Sequence, residues 1–200
     1  MDKETTIPIN SNLHDVDWSA LPAPKDDGGA AHLNGTAVPS LPLINTSGEF
    51  VDVSALQGKT VIFAYPMTGR PDVPLPDDWD MIPGARGCTP QACAFRDTYS
   101  DLQAAGITSV LGLSTQDTDY QREAAGRLHL PFPILSDSDL KLTQALKLPT
   151  MEVQSMTLLK RLTMIVSDGV VEKTFYPVFP PDQSAEMVLN WLNGSAQTGV

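Results

Sequence analysis

Residues Thr60 to Tyr65 read Thr-Val-Ile-Phe-Ala-Tyr, a run that is apolar on both faces of an extended chain and is ended by Pro66. Such a run suits a central strand covered on both sides, so the fold needs layers above and below a sheet. Thr108 to Leu113 is a second strand of the same kind. Between them Ala92, Phe95, Tyr99 and Leu102 step by 3, 4 and 3, which is one face of a helix. The pattern predicts that this helix is capped by Thr89, has Pro90 at its first position and is stopped by Gly106.

Flanking patterns complete the sheet. Leu41–Ile44 and Phe50–Val53 read as a hairpin around Thr46-Ser47-Gly48. Helices are expected over 117–127, 137–147 and 182–192, with an extended stretch at 130–134. A hairpin is expected from Leu162–Val166 and Val170–Phe175 around Ser167-Asp168-Gly169. This order implies an α/β domain, a thioredoxin-like fold with a mixed central sheet flanked by helices. The expected domain is 38–200, preceded by a polar extension, 1–37, partly ordered at best. Leu13, Val16, Trp18 and Leu21 are the extension's candidate anchors. A Gly- and Pro-rich loop occupies about 67–87.

Thirteen basic against 24 acidic residues give a net charge of −11, which argues against a nucleic-acid partner. No window of 18 apolar residues offers a membrane span. Met1 to Asp17 holds no apolar signal core, and the cytoplasm is the expected compartment. His14, His32 and His129 are scattered without ligand-like spacing, so no metal is expected.

The two cysteines, Cys88 and Cys93, stand five residues apart. Cys88 follows Gly87 at the start of the predicted helix, where unpaired backbone N–H groups and the helix dipole favour an anion. A thiolate is such an anion, so Cys88 is expected to be acidic and nucleophilic, with Arg86 adding a nearby cation. Five helical residues rise about 7.5 Å and turn ~140°, too far apart for a disulfide. The pair therefore predicts a redox switch that closes only when the first helical turn unwinds. For Cys93 taken alone, a small packing residue on an apolar helix face is the competing reading.

The run Gly87-Cys88-Thr89-Pro90-Gln91-Ala92-Cys93-Ala94-Phe95-Arg96-Asp97 resembles the active-site helix of the peroxiredoxins, nearest to the Q-type (bacterioferritin-comigratory-protein-like) group. The resemblance extends over about Val38–Leu192. It includes Tyr65-Pro66, Gly112-Leu113-Ser114, the stretch Leu130 to Asp137, and Arg161-Leu162-Thr163. It implies a thiol-dependent peroxidase acting on hydrogen peroxide and organic hydroperoxides. Cys88 is then the peroxidatic residue, Cys93 the resolving residue, and Arg161 the cation that stabilises the thiolate and polarises the peroxide. Without the resemblance, Arg161 reads as a surface arginine at a strand edge. Thioredoxin or a glutaredoxin-type donor is the implied reductant, no metal or organic cofactor is needed, and a monomer or weak homodimer fits.

Two positions depart from the family pattern. The family reads Pro-x-x-x-Thr-x-x-Cys, but Ala85 stands three residues before Cys88, and Pro66 precedes Cys88 by 22 positions instead of seven. The candidate substrate-binding set is therefore Gly87, Thr89, Pro66, Thr68 and Arg86, with Thr68, Arg86 or Thr89 as stand-ins for the missing hydroxyl. Asp72, Asp77, Asp78 and Asp80 in the inserted stretch read as a solvated face, and Trp79 and Met81 as a roof over the cysteine. Three rival functions stay open: a redox sensor or disulfide relay built on the same switch, a peroxiredoxin-fold enzyme repurposed for specialised metabolism, which the Ala85 departure favours, and a non-catalytic binding domain on the thioredoxin fold, which would leave Cys88 no reason to sit at a helix start.

Overall fold

The computed structural model describes residues 16–197. Among them a seven-stranded mixed sheet runs in the order β2-β1-β5-β4-β3-β8-β9. Its strands are β1 (Leu43–Asn45), β2 (Phe50–Val51), β3 (Lys59–Ala64), β4 (Ile107–Ser114), β5 (Ile134–Ser136), β8 (Leu162–Ser167) and β9 (Val170–Phe175). β3, β4 and β5 are parallel, while β8 pairs antiparallel with both β3 and β9. The thioredoxin-like plan expected from the sequence is the fold observed.

The central strand is apolar throughout because both its faces are covered. Val61, Phe63 and Tyr65 point into a core shared with α1 (Cys88–Asp97), α2 (Tyr99–Ala104) and α5 (Ser184–Gln197). Ile62 and Ala64 point the other way, toward Leu142 and Leu146 of α4 (Lys141–Leu146). Phe95 of α1 stacks on Phe63 with ring centroids 4.5 Å apart, which pins the middle of that helix to the sheet. The remaining helix, α3 (Thr118–Arg127), is capped by the Asp117 carboxylate, which accepts from the Tyr120 amide at 2.8 Å.

Several local expectations need correction. The active-site helix starts at Cys88 with Gly87 as its N-cap, not at Thr89. Gly87 adopts φ 106°, and a Cβ there would lie 2.4 Å from Pro181 and 2.9 Å from Trp18, so crowding selects glycine and sets the turn. The helix also breaks at Thr98, giving α1 and α2 in place of one rod. α4 is shorter than expected because Asp137 acts from outside it, accepting from the Leu142 and Thr143 amides and the Thr143 hydroxyl. An additional hairpin, β6 (Thr150–Val153) with β7 (Met156–Leu159), stands apart from the main sheet.

Of the extension 1–37, Leu13 lies outside the described residues, and residues 16–37 run along the domain. Leu33 is fully buried in the α4-side core, and Ala37 bridges to Val170. Asp27 accepts from Lys160 at 2.6 Å and from the Tyr176 hydroxyl at 2.7 Å, contacts that hold its carboxyl far below the usual carboxylate range. Half-buried Trp18 donates its indole N–H to Asp182 at 2.9 Å and meets Phe179 edge-on.

Leu33→Ala should lower unfolding stability by about 2–5 kcal/mol, the range for emptying a fully buried leucine site. The chemical-denaturation midpoint with an unchanged slope measures it. A change below ~0.5 kcal/mol would show that these residues do not belong to the cooperative core.

Candidate active site

The parallel strands β3 and β4 end at the same edge of the sheet, and the chain leaving β3 passes through Tyr65 and buried Pro66 into the long loop 67–87. Ligand sites of open α/β sheets lie at this carboxyl edge. Thr68, just past the strand, is buried, and its amide and hydroxyl both donate to the Gln116 side chain, at 3.0 and 3.2 Å. Gln116 returns an amide hydrogen to the Thr68 carbonyl at 3.2 Å. This double clasp ties the loop's root to the end of β4.

Cys88 occupies the first turn of α1. The first intrahelical bond runs from the Gln91 N–H to the Gly87 carbonyl, which leaves the Cys88 and Thr89 N–H groups without intrahelical acceptors. Cys88 is 4% exposed and forms one wall of a cavity of about 200 Å³. Arg86, Gly87, Thr89 and Pro90 line the cavity from the chain around the cysteine, and Met67, Leu75 and Trp79 line it from the loop. Trp79 is buried over the site as the roof reading had it, whereas Met81 is 64% exposed and takes no part in the lining.

Arg161 enters from the segment between β7 and β8 and is 2% exposed. It is therefore a buried residue, not a surface one. Its Nη2 lies 3.3 Å from Cys88 Sγ and also donates to the carbonyls of Gly84, Ala85 and Arg86 at 3.3, 3.2 and 3.1 Å. Its Nη1 donates to the Gln91 side chain, which in turn donates to Ser184 Oγ at 3.3 Å. Thr163 and Ser184 complete the chain at 2.9 Å. One guanidinium thus gathers the end of the loop, the first turn of α1 and the start of α5.

Cys93 faces a different, smaller space. Both cysteines are unbridged and buried. Cys93 shares a cavity of about 140 Å³ with Val16, Trp18, Pro90, Ala94, Asp97 and Asp182. Burial pushes its thiol up from the ordinary value, with Arg96 opposing and Asp97 adding to the rise.

The candidate residues thus divide. Cys88, Arg161, Arg86, Gly87 and Thr89 meet at one point. Pro66 and Thr68 are buried beside it without lining the cavity, and the Thr68 hydroxyl is engaged by Gln116. Arg86 is held by an ion pair to Asp80. Sequence reading missed Gln91, whose place between Arg161 and Ser184 depends on a contact across 70 residues. It also missed Arg127, which lines the cavity from α3, donates to the Gly69 carbonyl at 2.9 Å and pairs with Glu123. A helical i,i+4 charge pair gives no sign of such a second duty. Among the described residues no group of three or more His, Cys, Asp or Glu is placed to hold a metal ion, and no helix is long and apolar enough to cross a membrane.

The redoxin family model matches residues 33–189. A chloroplastic peroxiredoxin Q from Sedum lineare is 30% identical over 175 residues, 86% of this chain and 84% of the relative. One from Populus jackii is 31% identical over 160 residues, 79% of this chain and 67% of the relative. The match to a rice peroxiredoxin Q spans only 61% of that relative's length. Among solved structures, the peroxidoxin BcpB of Mycobacterium tuberculosis superposes with a TM-score of 0.65 at 24% identity, over 80% of this chain and 96% of that one. With its fold, its Cys88 motif and these relatives together, the chain belongs to the redoxin family and stands among its peroxiredoxin Q members.

Proposed function

We propose that this chain is a thiol peroxidase in which Cys88 is peroxidatic, Cys93 resolving, and Arg161 the activating cation. The observation that carries the reading is the 3.3 Å contact between the buried Arg161 guanidinium and Cys88 Sγ at the mouth of a helix. A packing cysteine has no use for a buried cation, and neither does a non-catalytic binding domain.

The Cys88 thiolate attacks the distal oxygen of a hydroperoxide, forming the S–O bond as O–O breaks. The sulfur becomes a sulfenic acid and the leaving alkoxide or hydroxide takes a proton from solvent. Charge spreads over the peroxide oxygens in that transition state. The Arg161 guanidinium and the free N–H groups of Cys88 and Thr89 lie where they oppose that charge. The Thr89 hydroxyl, at the cavity wall, is our candidate for the role that Ala85 leaves empty. The Cys93 sulfur then displaces water from the sulfenic acid to form the Cys88–Cys93 disulfide. A dithiol donor of the thioredoxin or glutaredoxin type returns both thiols by exchange. Hydrogen peroxide and small organic hydroperoxides both fit the cavity. The bacterioferritin comigratory protein of Xanthomonas campestris, which shares this fold, has alkyl peroxide reduction activity. Both cysteines stand on one helix, so the monomer suffices as the reacting unit. The cycle needs a reducing compartment; the cytoplasm meets that need, and the chloroplastic relatives place the family in a plastid too.

Cys88→Ser should abolish peroxide consumption. Cys93→Ser should consume one equivalent and stop at the sulfenic acid, seen as a gain of one oxygen in the intact mass. Sustained turnover of Cys93→Ser with thioredoxin would remove Cys93 from the resolving role. Arg161→Ala should slow the second-order peroxide step by on the order of 10²–10³, the usual loss for one transition-state charge partner. Arg161→Lys, which keeps the charge and loses the fork, should recover part of it.

Burial also gives the resolving step a pH dependence. The raised Cys93 thiol favours the folded helix below the ordinary thiol pKa, and that preference is lost as pH rises through the raised value. Disulfide formation should therefore accelerate as pH rises from about 8.5, the ordinary thiol value, toward the raised one. A flat profile measured by rapid quench and alkylation would contradict this.

A further inference from the structure

The disulfide step requires the first turn of α1 to open, and two groups outside the helix close over that turn. Pro181 sits on one side of Gly87, and Trp18 Cη2 would lie 2.9 Å from a Cβ built there. Trp18 also walls the Cys93 cavity, and Val16 and Pro90 are shared by that cavity and the Cys88 cavity. A short stretch beginning at Val16 therefore lies across the path by which the two sulfurs meet. Farther along, α1 has its own anchor in the Phe95–Phe63 stack, so opening is confined to its start.

The hold of this stretch on the domain is made by side chains. Asp17 accepts from the Ser19 amide at 3.0 Å and shapes a single turn, Trp18–Ala20. Among the described residues, the backbone hydrogen bonds of 16–34 reach no farther than Thr36, and the first to the sheet runs from Gly35 to Val171. Near α1 the anchor is the Trp18 indole, through its N–H to Asp182 and its edge contact with Phe179. An element without backbone ties can leave as a unit without breaking the sheet.

We propose that Trp18 is a positioning residue for the peroxidase reaction: its indole clamps the wound first turn of α1, holding Cys88 against Arg161, and must be released before Cys93 can resolve the sulfenic acid. This rests on the peroxidase reading above. The clamp prolongs the sulfenic acid, and with it the time in which a second peroxide can oxidise Cys88 to the sulfinic acid.

The test uses the full-length chain with Trp18→Ala and, as the conservative variant, Trp18→Phe. Acid quench, alkylation and mass spectrometry follow each cysteine, so loss of an indole signal is immaterial. In Trp18→Ala the disulfide-forming step should rise about tenfold, the order expected when a hydrogen bond to a carboxylate and an edge-on ring contact leave the closed state. The sulfinic fraction at high peroxide should fall, and the Cys88–peroxide step should be no faster. Trp18→Phe should lie between the alanine variant and the parent. Asp182→Ala, at an exposed position, removes the hydrogen bond alone and should give a smaller change in the same direction; it serves if Trp18→Ala fails to fold. Amide hydrogen exchange in the reduced protein reads the clamp without any disulfide: the Gln91, Ala92 and Cys93 amides should exchange about tenfold faster in Trp18→Ala. Exchange and disulfide rates equal to the parent's would overturn the clamp. A parent chain that never forms the Cys88–Cys93 disulfide would overturn the peroxidase reading instead, and the exchange result would still decide on Trp18.

Discussion

Burying the Arg161 guanidinium is the constraint on which the rest of the site depends. A cation taken out of water must find partners for its charge and its hydrogens, or the fold loses several kcal/mol. Among the described residues no carboxylate answers it. Its recorded partners are three consecutive carbonyls, a side-chain amide oxygen and the Cys88 sulfur. Of these five only the sulfur can carry a negative charge. The carbonyls of Gly84, Ala85 and Arg86 reach Nη2 only if the chain turns sharply before α1, and Gly87 supplies that turn. The geometry that pairs both terminal nitrogens of the guanidinium, leaving only its buried Nε–H without a partner, is therefore the geometry that delivers the cysteine.

The sheet was legible from the sequence because its signal is local. β3 carries apolar residues on successive positions, and each side finds its own core, so the run from Thr60 predicts a doubly covered strand without any tertiary knowledge. The β8–β9 hairpin carries its turn in Asp168-Gly169. The β6–β7 hairpin was not legible. Its turn places Gln154 at φ 54°, a conformation that sequence rules assign to glycine or asparagine. The start of α1 was misplaced by a related cause. Thr89-Pro90 is a sound local cap signal, but the crowding of Gly87 by Pro181 and Trp18 comes from segments far away in sequence and moves the cap.

The site divides in the same way. Cys88 and Cys93 were readable from spacing, and Arg161 from its resemblance to a family residue. Gln91 was not, because it has no local signature and acts through a long-range contact; Trp18 was readable as an anchor of the extension, but its place beside α1 rests on a contact across 164 residues. The long loop illustrates the limit further. Met67, Trp79 and Ala85 share a small core with Val153 and Leu158 of the β6–β7 hairpin. The inserted stretch and the hairpin absent from the sequence reading thus stabilise each other, and neither could be placed alone.

Winding the first turn of α1 also has an electrochemical meaning. Reduced protein keeps that turn, its contacts with Pro181 and Trp18, and the Arg161 bond to sulfur; a Cys88–Cys93 disulfide keeps none of them intact. Whatever free energy these contacts add to the dithiol state raises the reduction potential of the couple by about 30 mV for each 1.4 kcal/mol. A helix start packed this closely makes the disulfide a ready electron acceptor, so the fold itself helps pull electrons from the donor that completes the cycle.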